Sequence, residues 1–382
     1  MDARHVTEAG TTGQIERMTV INVALPVTTA RNHGIGAVAG TVHNVLVKLE
    51  TSDGLAGWGE ASPWAAFTGT AEAAAGALDV HLRPLVVGRP ASHVTRIMAD
   101  ADAALVGHPE AKAALEMALY DLMGRELGVS VSDLLGGRFR DEIPLSVSIA
   151  NPNFDEDLEL AERITNDGVR LFKIKTGVAG HAFDMMRLET LKDKYPEVDI
   201  RIDYNQGLTP LEAMRQVPEI DKLDPGFIEQ PVRAPHWDVM KNLRAAIRAP
   251  LVADESVYSP HDALRAAKEG LADAFSIKIM KSGGMRKGQE IATIGAANGM
   301  PGYGGDMFET GLAHLAGVHM CASTPNITLG CEFYQATYYL KEDLLEETFP
   351  ATDGKVTVPT GPGLGMAVDE DKVRHFAIGQ QA

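Results

Sequence analysis

The 382-residue chain has two cysteines, Cys321 and Cys331. Two thiols are too few for a disulfide framework, which fits a reducing cytoplasm. No apolar run approaches the length needed to span a bilayer. The first residues, Met1 to Gln14, are polar and rich in Gly and Thr. They lack the hydrophobic core of a secretion signal and read as a flexible tail. Positive charge is in deficit: 35 Lys and Arg stand against 52 Asp and Glu, for a formal net charge of −17. Nucleic acids and anionic membranes both need basic surface, so neither is expected as a partner. What is present is an ordinary globular composition, 45% hydrophobic and 23% charged. The length suffices for two domains, or for one barrel with a cap.

The pattern changes near residue 140. Before it, Met18–Val23 and Asn44–Leu49 are strand-like runs rich in β-branched residues. Thr51-Ser52-Asp53-Gly54 then makes a turn into Leu55–Glu60, which predicts a small antiparallel meander. Residues 70–127 read as helices. In the last of them Leu115, Ala118, Leu122 and Arg125 recur at three- and four-residue steps, and Pro109 suits the first turn. Residues 15–140 are therefore expected to form an α+β capping domain.

After it, strand and helix alternate. Strands are expected over 143–149, 170–175, 199–204, 226–230, 250–255, 274–280, 300–304 and 327–333. Helical stretches such as 181–195, 209–220, 236–247, 260–270 and 285–298 separate them. A repeat of roughly 25 residues fits an α/β fold of the TIM type, a (β/α)-barrel modified to about seven helices, over 141–333. Residues 334–382, with Pro350, Pro359 and Pro362, are expected to return over the capping domain.

In such a barrel, polar residues at the C-terminal ends of strands converge on the active site. Those ends carry Lys173 and Lys175, Asp203 and Asn205, Glu229, Asp254 and Glu255, and Lys278. Asp203, Glu229 and Asp254 are 26 and 25 residues apart, one strand–helix unit each. Three carboxylates at one height repel unless a cation neutralises them, and hard oxygen ligands favour Mg²⁺. Any one of these acids alone would read as a helix cap or a loop residue. Three in phase, with lysines in phase on either side, point to a metal centre. Lys173 and Lys175 lie two apart on one strand and share a face. Beside a like charge, a lysine is expected to have a lowered pKa and to serve as a base. Lys278, on the sixth strand, stands across the barrel mouth, so a substrate would meet a lysine on each side.

Lys173-Ile174-Lys175, Arg201–Gln206, Ile228-Glu229-Gln230-Pro231, Ala253-Asp254-Glu255-Ser256 and Lys278–Gly284 together resemble the enolase superfamily. Within it they resemble the muconate-lactonizing-enzyme subgroup, and Gly57-Trp58-Gly59-Glu60-Ala61 and Leu134–Arg138 agree. The resemblance implies Asp203, Glu229 and Asp254 as Mg²⁺ ligands and Lys175 as the base. It implies Lys173 as the lysine that tunes that base, Lys278 as the opposite acid or base, and Glu332 as an acid near the substrate. It also implies a small-molecule carboxylate substrate, a homo-oligomer, and two closing loops that bring Thr29, His33, Trp64 and Phe67 toward the pocket. The implied chemistry removes the proton α to a carboxylate, and the metal and a lysine ammonium stabilise the charge that develops.

Asp306 follows the seventh strand. A carboxylate at the barrel mouth suggests a cationic group on the substrate, an amino acid for instance, although Asp306 could equally cap the next helix. Glu332, Phe333 and Tyr334 could add charge and cation–π contact. The stretch Gly304–Tyr339 resembles members that act on proline derivatives. Several readings stay open: a cis-3-hydroxy-L-proline dehydratase, a 2-epimerase or racemase of proline betaine or other amino-acid derivatives, a muconate-type cycloisomerase, and a catalytically silent barrel. Intact lysines and acids weigh against the last.

Overall fold

A computed structural model describes residues 13–379. Most of the tail expected over residues 1–14 lies outside the described residues, and Gln14 bridges to Pro90. The N-terminal strands are β1 (Ile15–Pro26), β2 (Arg31–His33), β3 (Gly36–Val38), β4 (Thr41–Thr51) and β5 (Ala56–Ala61). β1, β4 and β5 form the antiparallel meander, and β2 and β3 form a hairpin beside it. The helix Pro109–Leu127 lies against β5, with Pro109 in its first turn.

That packing explains the Gly-Trp-Gly-Glu run. A Cβ at Gly59 would come within 1.9 Å of the Ala114 carbonyl oxygen, and one at Gly57 within 2.5 Å of the Ala118 oxygen. Only glycine lets the helix approach so closely. Side chains alternate along the strand, so Glu60 points away from the helix. It is fully buried and accepts hydrogen bonds from Asn44 Nδ2, Thr310 N, Thr310 Oγ1 and Ala313 N. Glu60 thereby caps a barrel helix from the other domain. Glu60→Ala should strand several buried donors and cost about 2–4 kcal/mol, read from the urea midpoint. Burial, against the bonds from Thr310, pushes the Glu60 pKa up to about 7. Its contribution to stability is then greatest below its ordinary value of 4.5 and falls as pH rises through about 7. Glu60→Gln should flatten that part of the pH profile.

The second half begins with β6 (Glu142–Pro144). The barrel strands follow: β7 (Ser146–Ile149), β8 (Leu171–Lys175), β9 (Asp199–Asp203), β10 (Ile228–Glu229), β11 (Leu251–Ala253), β12 (Ala274–Ile277), β13 (Gly302–Gly304) and β14 (Ile327–Cys331). They lie side by side in chain order. A parallel bridge from Leu145 to Cys331 joins the first to the last. Each of β7 to β13 is followed by a main helix, whereas β14 is followed only by the turn Gln335–Tyr338. The fold is a nearly closed TIM-type barrel with an N-terminal cap.

The C-terminal segment serves both halves. β15 (Ala351–Thr352) and β16 (Lys355–Thr357) extend β6 into a three-stranded sheet. Leu340 bridges to Val27, Ala377 to Val23, and Leu364 N donates to Asp121 in the capping helix. No helix among the described residues is long and apolar enough to cross a membrane.

Candidate active site

Strand register assembles the charged residues. β8 and β9 pair Lys175 with Asp203, and β9 and β10 pair Asp203 with Glu229. Asp254 follows directly on β11, and Lys278 on β12. One buried side chain splints two of these strand ends. Gln230 Oε1 accepts from Asp254 N and Ser256 N, while its Nε2 donates to Val232 O and Ser256 Oγ. Asn205, Gln206 and Gln230 all have positive φ, at 40°, 63° and 34°. Left-handed backbone at non-glycine residues is strained and collects where a site demands it.

The side chains form one ionic net. Lys173 Nζ lies 3.1 Å from Asp203 Oδ2, 3.0 Å from Glu229 Oε2 and 2.5 Å from Glu332 Oε2. Lys175 Nζ is 2.5 Å from Asp203 Oδ2, and Lys278 Nζ is 2.7 Å from Asp254 Oδ2. Lys281 Nζ holds Asp254 Oδ1 at 2.7 Å. Burial disfavours the Asp203 charge, but Lys175 and Lys173 outweigh it and hold the carboxyl well below the usual range. Burial also disfavours the Lys278 ammonium, and Asp254 more than offsets it, so its pKa lies above the ordinary lysine value. Glu229 is pushed up to about 7 by burial, against Lys173 and with Asp203 and Asp254 as like charges.

At Lys173 the net departs from what a lysine neighbour alone leads one to expect. A second lysine was expected to lower the pKa in the Lys-x-Lys pair. Instead, burial of Lys173 is outweighed by Glu229, Glu332 and Asp203, which raise it well above the ordinary value. Asp203, Glu229 and Glu332 converge on Lys173 Nζ from the ends of three different strands.

The donor set suits a hard divalent cation. Asp203, Glu229, Asp254 and Glu255 are all buried, and Glu229 Oε1 and Glu255 Oε2 have no hydrogen-bond partner among the described residues. Buried acceptors without donors are costly, and a cation would satisfy them.

Above this net lies a cavity lined by His33, Trp64, Phe67, Ser148, Lys175, Asn205, Lys278, Asp306, Met307, Phe308, Glu332, Tyr334 and Gln335. His33, Trp64 and Phe308 meet edge to face, with ring centroids 5.2 to 5.6 Å apart. Phe67 lies 4.8 Å from Lys278 Nζ and stacks on Tyr258. Both N-terminal loops therefore reach the barrel mouth, as expected for His33, Trp64 and Phe67. Thr29 does not line the cavity; its hydroxyl donates to Glu156. Phe333 does not line it either, since its ring turns back onto His314 at 5.3 Å. Tyr334 does, but its ring already faces the Arg31 guanidinium at 5.0 Å.

Asp306 is not a helix cap. The next helix, Gly311–Ser323, is capped by Thr310. Asp306 is 7% exposed, accepts from Gln335 Nε2 at 3.0 Å, and pairs with no lysine or arginine among the described residues. Burial raises its pKa well above the usual value, helped by Glu332 and Glu309. Ser148 and Gln335 escaped the sequence reading. Ser148 is the third of four residues in the first barrel strand, in a Ser-x-Ser alternation that points both serines to one face, and it donates to Glu332 Oε1. Gln335 opens the helical turn Gln335–Tyr338, which is too short to carry a periodic cue.

Residues 156–372 match the family "Enolase C-terminal domain-like", and residues 16–136 match "Mandelate racemase / muconate lactonizing enzyme, N-terminal domain". A chloromuconate cycloisomerase of Cupriavidus pinatubonensis is 35% identical over 341 residues, 87% of this chain and 91% of that protein. Muconate cycloisomerase 1 of Rhodococcus opacus is 31% identical, over 94% and 97% of the two chains. Among solved structures, a muconate cycloisomerase from Azorhizobium caulinodans aligns with a TM-score of 0.84 at 45% identity, covering 96% of this chain and 99% of that one. The muconate lactonizing enzyme from Pseudomonas fluorescens, complexed with muconolactone, aligns with a TM-score of 0.92 at 30% identity, covering 96% and 100%. The chain belongs to the enolase superfamily, in its mandelate racemase/muconate lactonizing enzyme group, whose enzymes remove the proton α to a carboxylate.

Proposed function

We propose that this enzyme removes the α-proton of an amino acid and expels a β-hydroxyl, with cis-3-hydroxy-L-proline as substrate. The observation that carries this reading is Asp306, a buried carboxylate in the cavity wall with no lysine or arginine partner. Glu332 lines the same cavity. Burial and the neighbouring acids favour the protonated form of Asp306. An ammonium beside the substrate carboxylate would draw off that proton and pair with the acid, whereas the second carboxylate of a muconate would find no cation there.

Asp203, Glu229 and Asp254 would hold Mg²⁺, which when bound stabilises the second negative charge that develops on the substrate carboxylate. Lys175 Nζ takes the α-proton. Lys173, locked among Asp203, Glu229 and Glu332, keeps those carboxylates in place beneath the substrate. Lys278 Nζ, on the opposite side of the mouth, gives its proton to the departing hydroxyl. In the cis isomer the hydroxyl and carboxylate share one ring face, so the α-hydrogen is on the other. Proton and hydroxyl then leave anti, one toward each lysine. The C–O bond breaks, water leaves, and the enamine that remains tautomerises to the cyclic imine. His33, Trp64, Phe67 and Phe308 exclude bulk water from the charges below.

A second reading is favoured by the names of the relatives: cycloisomerisation of a muconate-type dicarboxylate. The two separate on Asp306→Asn. On the amino-acid reading, the variant should lose about 10²-fold in kcat/KM for amino acids, the worth of a buried charge-assisted hydrogen bond of about 2–3 kcal/mol. Its folding transition should stay near that of the wild type. Faster turnover of cis,cis-muconate than of any amino acid would favour the cycloisomerase.

A further inference from the structure

A second cluster of donors lies beside the cavity, apart from the three acids on β9, β10 and β11. Asp306, Glu309 and His314 each offer a ligand atom within 4.8 Å of the other two. His314 Nε2 is 3.8 Å from Asp306 Oδ2 and 3.8 Å from Glu309 Oε2. The imidazole is 1% exposed, and neither of its nitrogens has a hydrogen-bond partner among the described residues. Phe333 and Phe349 pack on the ring, with centroids 5.3 and 5.6 Å away, and fix its orientation. Burial depresses its pKa to about 3. A neutral imidazole is the form that ligates metals. Burial likewise pushes Glu309 up to about 8 and Asp306 well above its usual value, so an ion bound here would displace their protons.

The carboxylates have neutral donors but no cation among the described residues. Asp306 accepts from Gln335 Nε2, and Glu309 from Met307 N, both neutral donors that leave lone pairs free. Their only ion-pair distances among the described residues are those to the uncharged His314. Two buried acids and a buried, unpartnered imidazole at van der Waals separation are costly as they stand.

We propose that Asp306, Glu309 and His314 form a second metal site, suited to a borderline divalent ion such as Zn²⁺, with one position open to the cavity. One imidazole nitrogen and two carboxylate oxygens match three-ligand zinc chemistry, whereas Mg²⁺ favours oxygen donors alone. Zinc–ligand bonds of about 2.0–2.1 Å place tetrahedral donors about 3.3 Å apart, so the two 3.8 Å separations need close by about half an ångström and the Asp306–Glu309 separation, within 4.8 Å, by at most about 1.5 Å. Ligation would ionise both acids, and the ion's two charges match theirs. Because Asp306 lines the cavity, an ion here would occupy the place assigned above to the substrate ammonium and act as an inhibitor. The metal site itself stands on the three side chains and not on that assignment.

Direct binding tests it. Chelator-stripped protein in saturating Mg²⁺ is titrated with Zn²⁺ by calorimetry, and with Co²⁺ to follow its visible absorption. One Zn²⁺ per chain is expected, retained in Asp254→Asn and at least tenfold weaker in His314→Gln and Glu309→Gln. On ¹⁵N-histidine-labelled wild type, Zn²⁺ should shift the signals of one buried imidazole, a readout that needs no variant to fold. No Zn²⁺ beyond that lost in Asp254→Asn, undiminished binding in both cluster variants, or unmoved histidine signals would each overturn the site. Zn²⁺ bound as expected without competing against amino acids would leave the site standing and count against the ammonium assignment alone.

Discussion

Asp203→Asn, Glu229→Gln and Asp254→Asn should each lower turnover by at least about 10³-fold, since a Lewis-acid cation supplies several kcal/mol of transition-state stabilisation. Each should also weaken Mg²⁺ binding. The geometry makes the three losses unequal in their side effects. Asp254 pairs with both Lys278 and Lys281, so its replacement also frees two buried ammoniums. Asp203 pairs with Lys173 and Lys175. Glu229 pairs with Lys173 alone, and its Oε1 has no partner among the described residues. Glu229→Gln is therefore the cleanest of the three. Its circular dichroism should match the wild type while Mg²⁺ titration shifts to higher concentration. Full activity after exhaustive chelation would remove the metal from the account.

Replacing either mouth lysine by methionine should cost about 10²–10⁴-fold, the usual worth of a positioned acid or base. The two losses should differ in kind. Lys175→Met should abolish exchange of the substrate α-proton with D₂O, because it removes the base. Lys278→Met should block loss of the hydroxyl while α-proton exchange persists at a measurable level. Proton NMR of the substrate in D₂O separates the two. Elimination that survives in Lys278→Met would reassign the acid.

Much of this site is legible in the chain because barrel geometry converts sequence spacing into position. Asp203, Glu229 and Asp254 recur at the length of one strand–helix unit, and the strand register sets Lys175, Asp203 and Glu229 side by side. Lys173 illustrates the limit. Its inward direction follows from its two-residue step to Lys175, but, against burial, its raised pKa depends on Glu229 and on Glu332, which follows the last barrel strand. Phe333 and Tyr334 are adjacent in irregular chain, and only packing decides that one meets His314 and the other the cavity. Asp306 is the same kind of case: a helix begins nearby, yet Thr310 takes the cap and leaves the acid to the cavity. Glu309 and His314 carry no strand-end signal at all. They come together because Glu309 lies just before the helix Gly311–Ser323 and His314 in its first turn.

The account rests on proton abstraction from a substrate that carries an ammonium, followed by loss of a β-hydroxyl. The most direct measurement is proton NMR of cis-3-hydroxy-L-proline with the enzyme and Mg²⁺ in D₂O. The account predicts disappearance of the α-proton and formation of the cyclic imine, with the trans isomer a poor substrate because its hydrogen and hydroxyl lie on one face. Clean inversion at the α-carbon with the hydroxyl retained would contradict it in favour of an epimerase. An inert amino acid beside rapid lactonisation of cis,cis-muconate would contradict it in favour of a cycloisomerase.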